Sequence, residues 1–243
     1  MEGVQNISDG RNSVSYILTR SRRKTVGIRV NENGEVRVSA PLNISDKQLR
    51  DIMLKKISWI VKKQEELRRL YNEPCTKNGY ADGETFSYLG KEYILRIMKG
   101  SLPEGITLEG SNIVIAIDEN RASIEGDQYI RSVLRRFYIT QFSDIIKDRI
   151  DFFSPQIGVC PQKVTVREQK TRWGSCSSKG NISLNWKLVM APMEVIDYVI
   201  VHELCHMKEM NHSKNYWNLV KTILPDFDVR RKWLKVNGHR LVI

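Results

Sequence analysis

Val199-Ile200-Val201-His202-Glu203-Leu204-Cys205-His206 is the stretch whose reading decides the fold. On a helix, residues four apart share one face, so His202 and His206 project their imidazoles together, with Glu203 beside the first. This is the HExxH arrangement: two nitrogen ligands for zinc and a carboxylate that can take a proton from a metal-bound water. Ile196, Val199, Ile200 and Val201 make the preceding turns apolar, which predicts a buried helix. Two histidines and a glutamate on such a helix need partners; core hydrogen bonds would satisfy them, and so would a metal.

Catalytic zinc keeps three protein ligands and an open position. His212, six residues after His206, is the first candidate for the third ligand, and Asp226 and Asp228 are the alternatives. The His206–His212 spacing matches that of the metzincins. However, Glu209 stands where those proteins carry a turn glycine, and no methionine follows His212 to form their Met-turn. Asn211 offers a left-handed residue to break the helix. Cys176 or Cys205 as a fourth, inhibitory thiolate ligand is a further option. Tyr216 and Trp217 read as packing residues, with Tyr216 also able to donate to an oxyanion. His239 reads as a surface residue near a terminus.

Outward from this helix, the pattern is mixed. Val14–Thr19, Thr25–Val30 and Glu35–Ser39 alternate as strands, with the hairpin signal Asn33-Gly34 before the last. Ser45 and Gln48 have capping-box spacing at the start of a helix running to about Tyr71. Asn72–Gly83 is rich in breakers. Strands resume at Thr85–Leu89, Glu92–Ile97, Ile106–Leu108 and Ile113–Ile117. A long helix is predicted from Gly126 to Phe153, stopped by Ser154-Pro155. Lys163–Arg167 and Asn181–Trp186 are strands with the Gly-containing stretch 173–180 between them. The metal-bearing helix should start at Pro192 and reach about Met210. Ser213 caps a helix that ends before Pro225, and a last basic helix covers Val229–Val236. No internal repeat stands out. The fold class is α+β: a β-rich region with one long helix over 1–120, then a helix-rich domain over 121–243 with the active-site helix beside a small sheet.

Composition sets the setting. Of 243 residues, 41% are hydrophobic and 28% charged, as in ordinary globular proteins. Neither a secretory h-region nor an apolar run of about 18–20 residues occurs, so a cytoplasmic location with no membrane partner is expected. Cys75, Cys160, Cys176 and Cys205 never form a CxxC pair, which argues against a disulfide framework. The net charge of +11 favours acidic partners, nucleic acid included. It is spread over residues 20–24, 47–69 and 230–232, and a solvated surface is the simpler account of it.

Thr171-Arg172-Trp173-Gly174-Ser175-Cys176-Ser177, Ile182-Ser183-Leu184-Asn185, the helix Val199–His206, Asn211-His212-Ser213 and Trp217 together resemble the YgjP-like metallopeptidases, relatives of the SprT-like zincins. The specific motifs cover about residues 165–235. The N-terminal half matches more loosely, through its strand-helix pattern, Pro41 and Trp59. The resemblance implies a zincin-like domain over 121–243, with Zn2+ held by His202, His206 and His212 and Glu203 as general base. It names no substrate. SprT-like relatives include proteases acting on proteins crosslinked to DNA, which gives the basic charge added interest. Within the motif, Trp173–Cys176 has two readings. It is either a cleft wall whose backbone pairs with an extended peptide, or a core Trp173 followed by a positive-φ Gly174. The expected function is peptide-bond hydrolysis. The alternatives are a nucleic-acid-associated zinc module or protease of DNA-bound proteins, and a metal hydrolase of another bond.

Overall fold

A computed structural model describes residues 2–31, 33–71, 79–100, 105–169 and 171–243. The breakers at 72–78, including Cys75, lie outside the described residues. The chain divides into two units, Met1–Cys75 and Thr76–Ile243, so the region 1–120 read from the sequence takes in the first unit and the opening sheet of the second.

The first unit is a four-stranded sheet covered by one helix. Its strands are β1 (Glu2–Ser8), β2 (Ser13–Ser21), β3 (Gly27–Val30) and β4 (Val36–Pro41), in the order β1-β2-β4-β3. β2 and β4 run parallel, while each edge strand pairs antiparallel. Alternate residues of β2 and β4 (Val14, Tyr16, Leu18; Val36, Val38, Ala40) point to one buried face. Against that face lies α1 (Asp46–Tyr71), burying Leu49, Met53, Ile57 and Ile60 at helical spacing. Its start is the capping box expected from the sequence. The Gln48 N–H donates to Ser45 Oγ at 3.2 Å, and the Ser45 N–H donates to Gln48 Oε1 at 3.3 Å.

The second unit opens with the same plan. β5 (Thr85–Tyr88), β6 (Lys91–Lys99), β7 (Gly105–Glu109) and β8 (Asn112–Ile117) form a sheet in the order β5-β6-β8-β7. Again the two inner strands are parallel and the edges antiparallel, and again a helix follows. The chain therefore repeats a ββββα topology that its sequence does not advertise. That helix, α2 (Glu119–Ile157), is broken by non-helical backbone at Gly126 and then serves two cores. Ile130, Val133 and Leu134 cover the sheet. Phe142, Ile146, Ile150, Phe153 and Ile157 continue into the core of the C-terminal helices. Pro155 does not end it, contrary to expectation. The stop is Gly158, whose positive φ of 72° lets its N–H turn back to Ser154 O at 2.9 Å.

A three-stranded sheet completes the unit: β9 (Lys163–Arg167), β10 (Gly174–Cys176) and β11 (Asn181–Asn185), with β11 central. A 3-10 turn over Trp186–Met190 leads to α3 (Met193–Cys205), α4 (Lys214–Ile223) and α5 (Phe227–Asn237). The turn joining β5 and β6 docks on that 3-10 segment. Leu89 and Gly90, both at positive φ (48° and 75°), donate their N–H groups to Val189 O at 2.8 Å and Met190 O at 3.2 Å. Gly90 lies so close to Pro192 that a Cβ there would come within 2.8–3.0 Å of it. Arg149 of α2 grips Asp197 of α3 through two hydrogen bonds, at 2.6 and 2.9 Å. Among the described residues, no helix is long and apolar enough to cross a membrane.

Candidate metal centre

α3 forms because its sequence is apolar almost all round. Val195 to Val201 are buried without a break, so tertiary packing fixes the helix. It ends at Cys205, short of the expected Met210. The amides of Met207, Lys208 and Glu209 turn back onto Leu204 O and Cys205 O in a tightened last turn. Asn211 is not left-handed; among the described non-glycine residues only Leu89 has a positive φ. His206 is the closing residue (φ −64°, ψ −18°), still helical, so the four-residue spacing from His202 holds. Their ring centroids are 4.8 Å apart.

The chain then returns through the 207–212 turn and brings His212 onto both. His212 Nε2 lies 3.2 Å from His202 Nε2, and one ligating nitrogen from each of the three residues falls within 4.8 Å of the others. With metal–nitrogen distances of about 2.0–2.1 Å, two nitrogens of a tetrahedral site stand roughly 3.3 Å apart, so the donor set fits a metal ion. Neither Asp226 nor Asp228 joins this cluster, and Asp226 is turned to Arg230 at 3.0 Å. His239, Cys176 and Cys205 are also outside it. Burial pushes the Cys205 thiol up to about 12 and raises that of Cys176, where Glu203 adds to the effect. Both sulfurs are therefore held as poor-ligand thiols.

Surrounding groups set the imidazoles. His206 Nδ1 pairs with the carbonyl of Glu209 at 3.1 Å, leaving Nε2 for a metal. His202 Nδ1 is buried and, among the described residues, has no hydrogen-bond partner. Burial, then the neighbouring His206, His212 and Arg231, push the His202 pKa down to about 3, and burial, His206 and Arg231 lower that of His212. Both rings are thereby kept neutral, the form that ligates. Tyr216 is fully buried; its ring stacks on His206 at 4.6 Å and its hydroxyl donates to His202 O at 3.0 Å. That hydroxyl braces the end of α3 and is not free to meet an oxyanion. Ser213 fixes α4 beneath it, accepting the Tyr216 N–H at 3.2 Å. Trp217 lies flat over His212 at 5.5 Å, and the Arg231 guanidinium sits 4.7 Å above the Trp217 ring.

Glu203 is 5% exposed, and burial pushes its pKa up to about 7, with Arg172 opposing. Its carboxylate rests against β10. A Cβ on Gly174 would meet Glu203 Oε1 at 2.5 Å and Cδ at 2.9 Å. Gly174 has no positive φ; the position calls for glycine because the carboxylate fills the space a side chain would take. Trp173 is partly buried against the core, with Gly238 packed on its ring. Asn185 holds the segment leading into β10. Its side chain donates to Gln169 O at 2.8 Å and Arg172 O at 3.2 Å, and its N–H donates to Trp173 O at 2.9 Å. β10 pairs with β11 on one side only, so it is an edge strand beside α3. The roles of Gly174, Asn185, Arg231 and the Glu209 carbonyl were not legible beforehand. Only the glycine-and-asparagine motif marked two of them as special.

A search of curated proteins finds no match. Among solved structures, the metallopeptidase zymogen abylysin of Pyrococcus abyssi aligns with 24% identity over 37% of this chain and 94% of that one, at a TM-score of 0.34. The model of the YgjP-like metallopeptidase domain matches residues 24–237. The chain belongs to the YgjP-like metallopeptidase family.

Proposed function

We propose that this metallopeptidase is a zinc enzyme that hydrolyses peptide bonds, with His202, His206 and His212 as ligands and Glu203 as general base. The observation that carries the reading is the convergence of three imidazoles within 4.8 Å at the end of a buried helix that also carries the buried carboxylate of Glu203. Three histidines fit zinc's preference for nitrogen and leave the fourth position of a catalytic site open. Zinc, when bound, supplies acidity to a coordinated water and polarises a carbonyl.

The chain's own groups do the rest. Glu203, with a pKa near 7, is poised to take a proton from the attacking water and return it to the leaving amine. Gly174 leaves the carboxylate its place. The unpaired edge of β10, Gly174–Cys176, offers backbone groups to an extended peptide beside α3.

The test separates base from ligands. Glu203→Gln should lower peptide hydrolysis by about 10²–10⁴ while metal content by elemental analysis stays near one zinc per chain. His202→Ala and His212→Ala should lose the metal. Asp226→Ala should keep it. Zinc lost in Glu203→Gln, or retained in both histidine variants, would overturn the assignment.

A further inference from the structure

Helix α1 carries an exposed aromatic residue in an unusual setting. Trp59 is 47% exposed, and its four neighbours on the helix surface, at i−4, i−3, i+3 and i+4, are Lys55, Lys56, Lys62 and Lys63. Lys63 pairs with Glu66 at 2.8 Å. Lys55, Lys56 and Lys62 are exposed and, among the described residues, have no acidic partner. The unit around them is disproportionately basic: Met1–Cys75 holds fifteen Lys and Arg against nine Asp and Glu, or +6 of the chain's +11.

We propose that this face binds single-stranded nucleic acid, with a base stacked on Trp59 and the flanking phosphates on the lysines. A large aromatic left in water and ringed by cations lacks the apolar neighbours of a protein–protein hot spot. It has both parts of a single-strand platform: a flat ring for an unpaired base and positive charge for the backbone. A membrane surface fits poorly, because an in-plane helix needs its apolar side for lipid. In α1 that side, Leu49, Met53, Ile57 and Ile60, is already spent on the sheet. An acidic polypeptide would use the lysines and leave the indole without a partner. The platform lies in the first unit, so the inference does not rest on the metal centre.

The experiment uses the full-length protein and a labelled oligothymidylate. Binding at low salt should quench tryptophan fluorescence and weaken steeply as salt rises. Trp59→Ala should weaken it about tenfold and Trp59→Phe much less. Lys55→Gln with Lys62→Gln should lower the slope of log affinity against log salt by about 1.4. Zinc content and circular dichroism should match wild type in every variant. Unchanged affinity in Trp59→Ala overturns the proposal. So does a duplex of equal length bound more tightly than the single strand. So, too, does Trp59-dependent binding of polyaspartate or phosphatidylserine vesicles with no binding of oligothymidylate.

Discussion

Helices α1 and α2 close two sheets of identical strand order, yet they end in different circumstances. α1 covers one sheet, buries one stripe and keeps a long polar face with Trp59 and its lysines. α2 begins the same way, with Ile130, Val133 and Leu134 on its sheet. It then runs on for several turns, and there Phe142, Ile146, Ile150 and Phe153 join the core that carries α3. One topology thus yields a helix with a free surface and a helix that supports chemistry. What separates them is how much apolar surface the rest of the unit presents. A helix between two cores is apolar on more than one side, whereas a helix with one sheet to cover is free to carry charge.

The largest expected effect asks whether the second unit really carries a buried carboxylate. The native pKa of Glu203, about 7, lies above the ordinary glutamate value of 4.5. The folded state therefore favours the protonated form, and stability present at low pH is lost as pH rises from 4.5 through 7. Glu203→Gln cannot titrate there. Compared metal-free, wild type should lose about 3 kcal/mol relative to the variant across that window. Urea midpoints at a series of pH values read the difference, in which the shared histidines cancel. Parallel curves would mean that the carboxylate is not buried as described.

A smaller effect probes the joint between α2 and α3. Asp197→Ala leaves Arg149 without its two hydrogen bonds. Breaking a buried pair costs about 3–5 kcal/mol; with Arg149 28% exposed, about 2 kcal/mol is expected here. The loss should fall on the thermal transition of Thr76–Ile243. A shift in the transition of the N-terminal unit instead would erase the contrast between the two helices. The smallest effect is the reverse case. Ser45→Ala removes half the capping box of α1 and should cost about 1 kcal/mol in the first unit alone, with zinc content unchanged. Equal shifts in both transitions would show that the units do not unfold separately.

The clustering of the three histidines was largely legible because its information is local. His202 and His206 are fixed by helical spacing, and His212 follows six residues later. Capping signals at Ser45 and Ser213 were equally local, and both are made. What escaped was held by partners distant in sequence. β1 reads as polar chain, and it becomes a strand because its full length pairs with β2. β10 is three residues long, too short for any alternation to show. The repeated topology was hidden because apolar patterning reveals which segments are strands, not which ones pair or that two of them run parallel. Tyr216 packs as read, and the further option of donating to an oxyanion is closed because its hydroxyl goes to a backbone carbonyl fourteen residues earlier. Gly174 was read through its own backbone when the reason lay in Glu203.

The Leu89–Gly90 turn has a consequence for timing. Both amides are bonded across to the segment that launches α3, and neither bond belongs to the hairpin's own ladder. Solvent hydrogen can replace those two protons only when the turn lifts from Val189 and Met190, so their exchange clocks how often the platform behind the histidine helix opens. If the site is to hold three imidazoles in register through repeated turnover, that clock must run slowly. Leu89 and Gly90 should then exchange with the slow amides of α3 and not with those of an exposed hairpin tip such as Gly110.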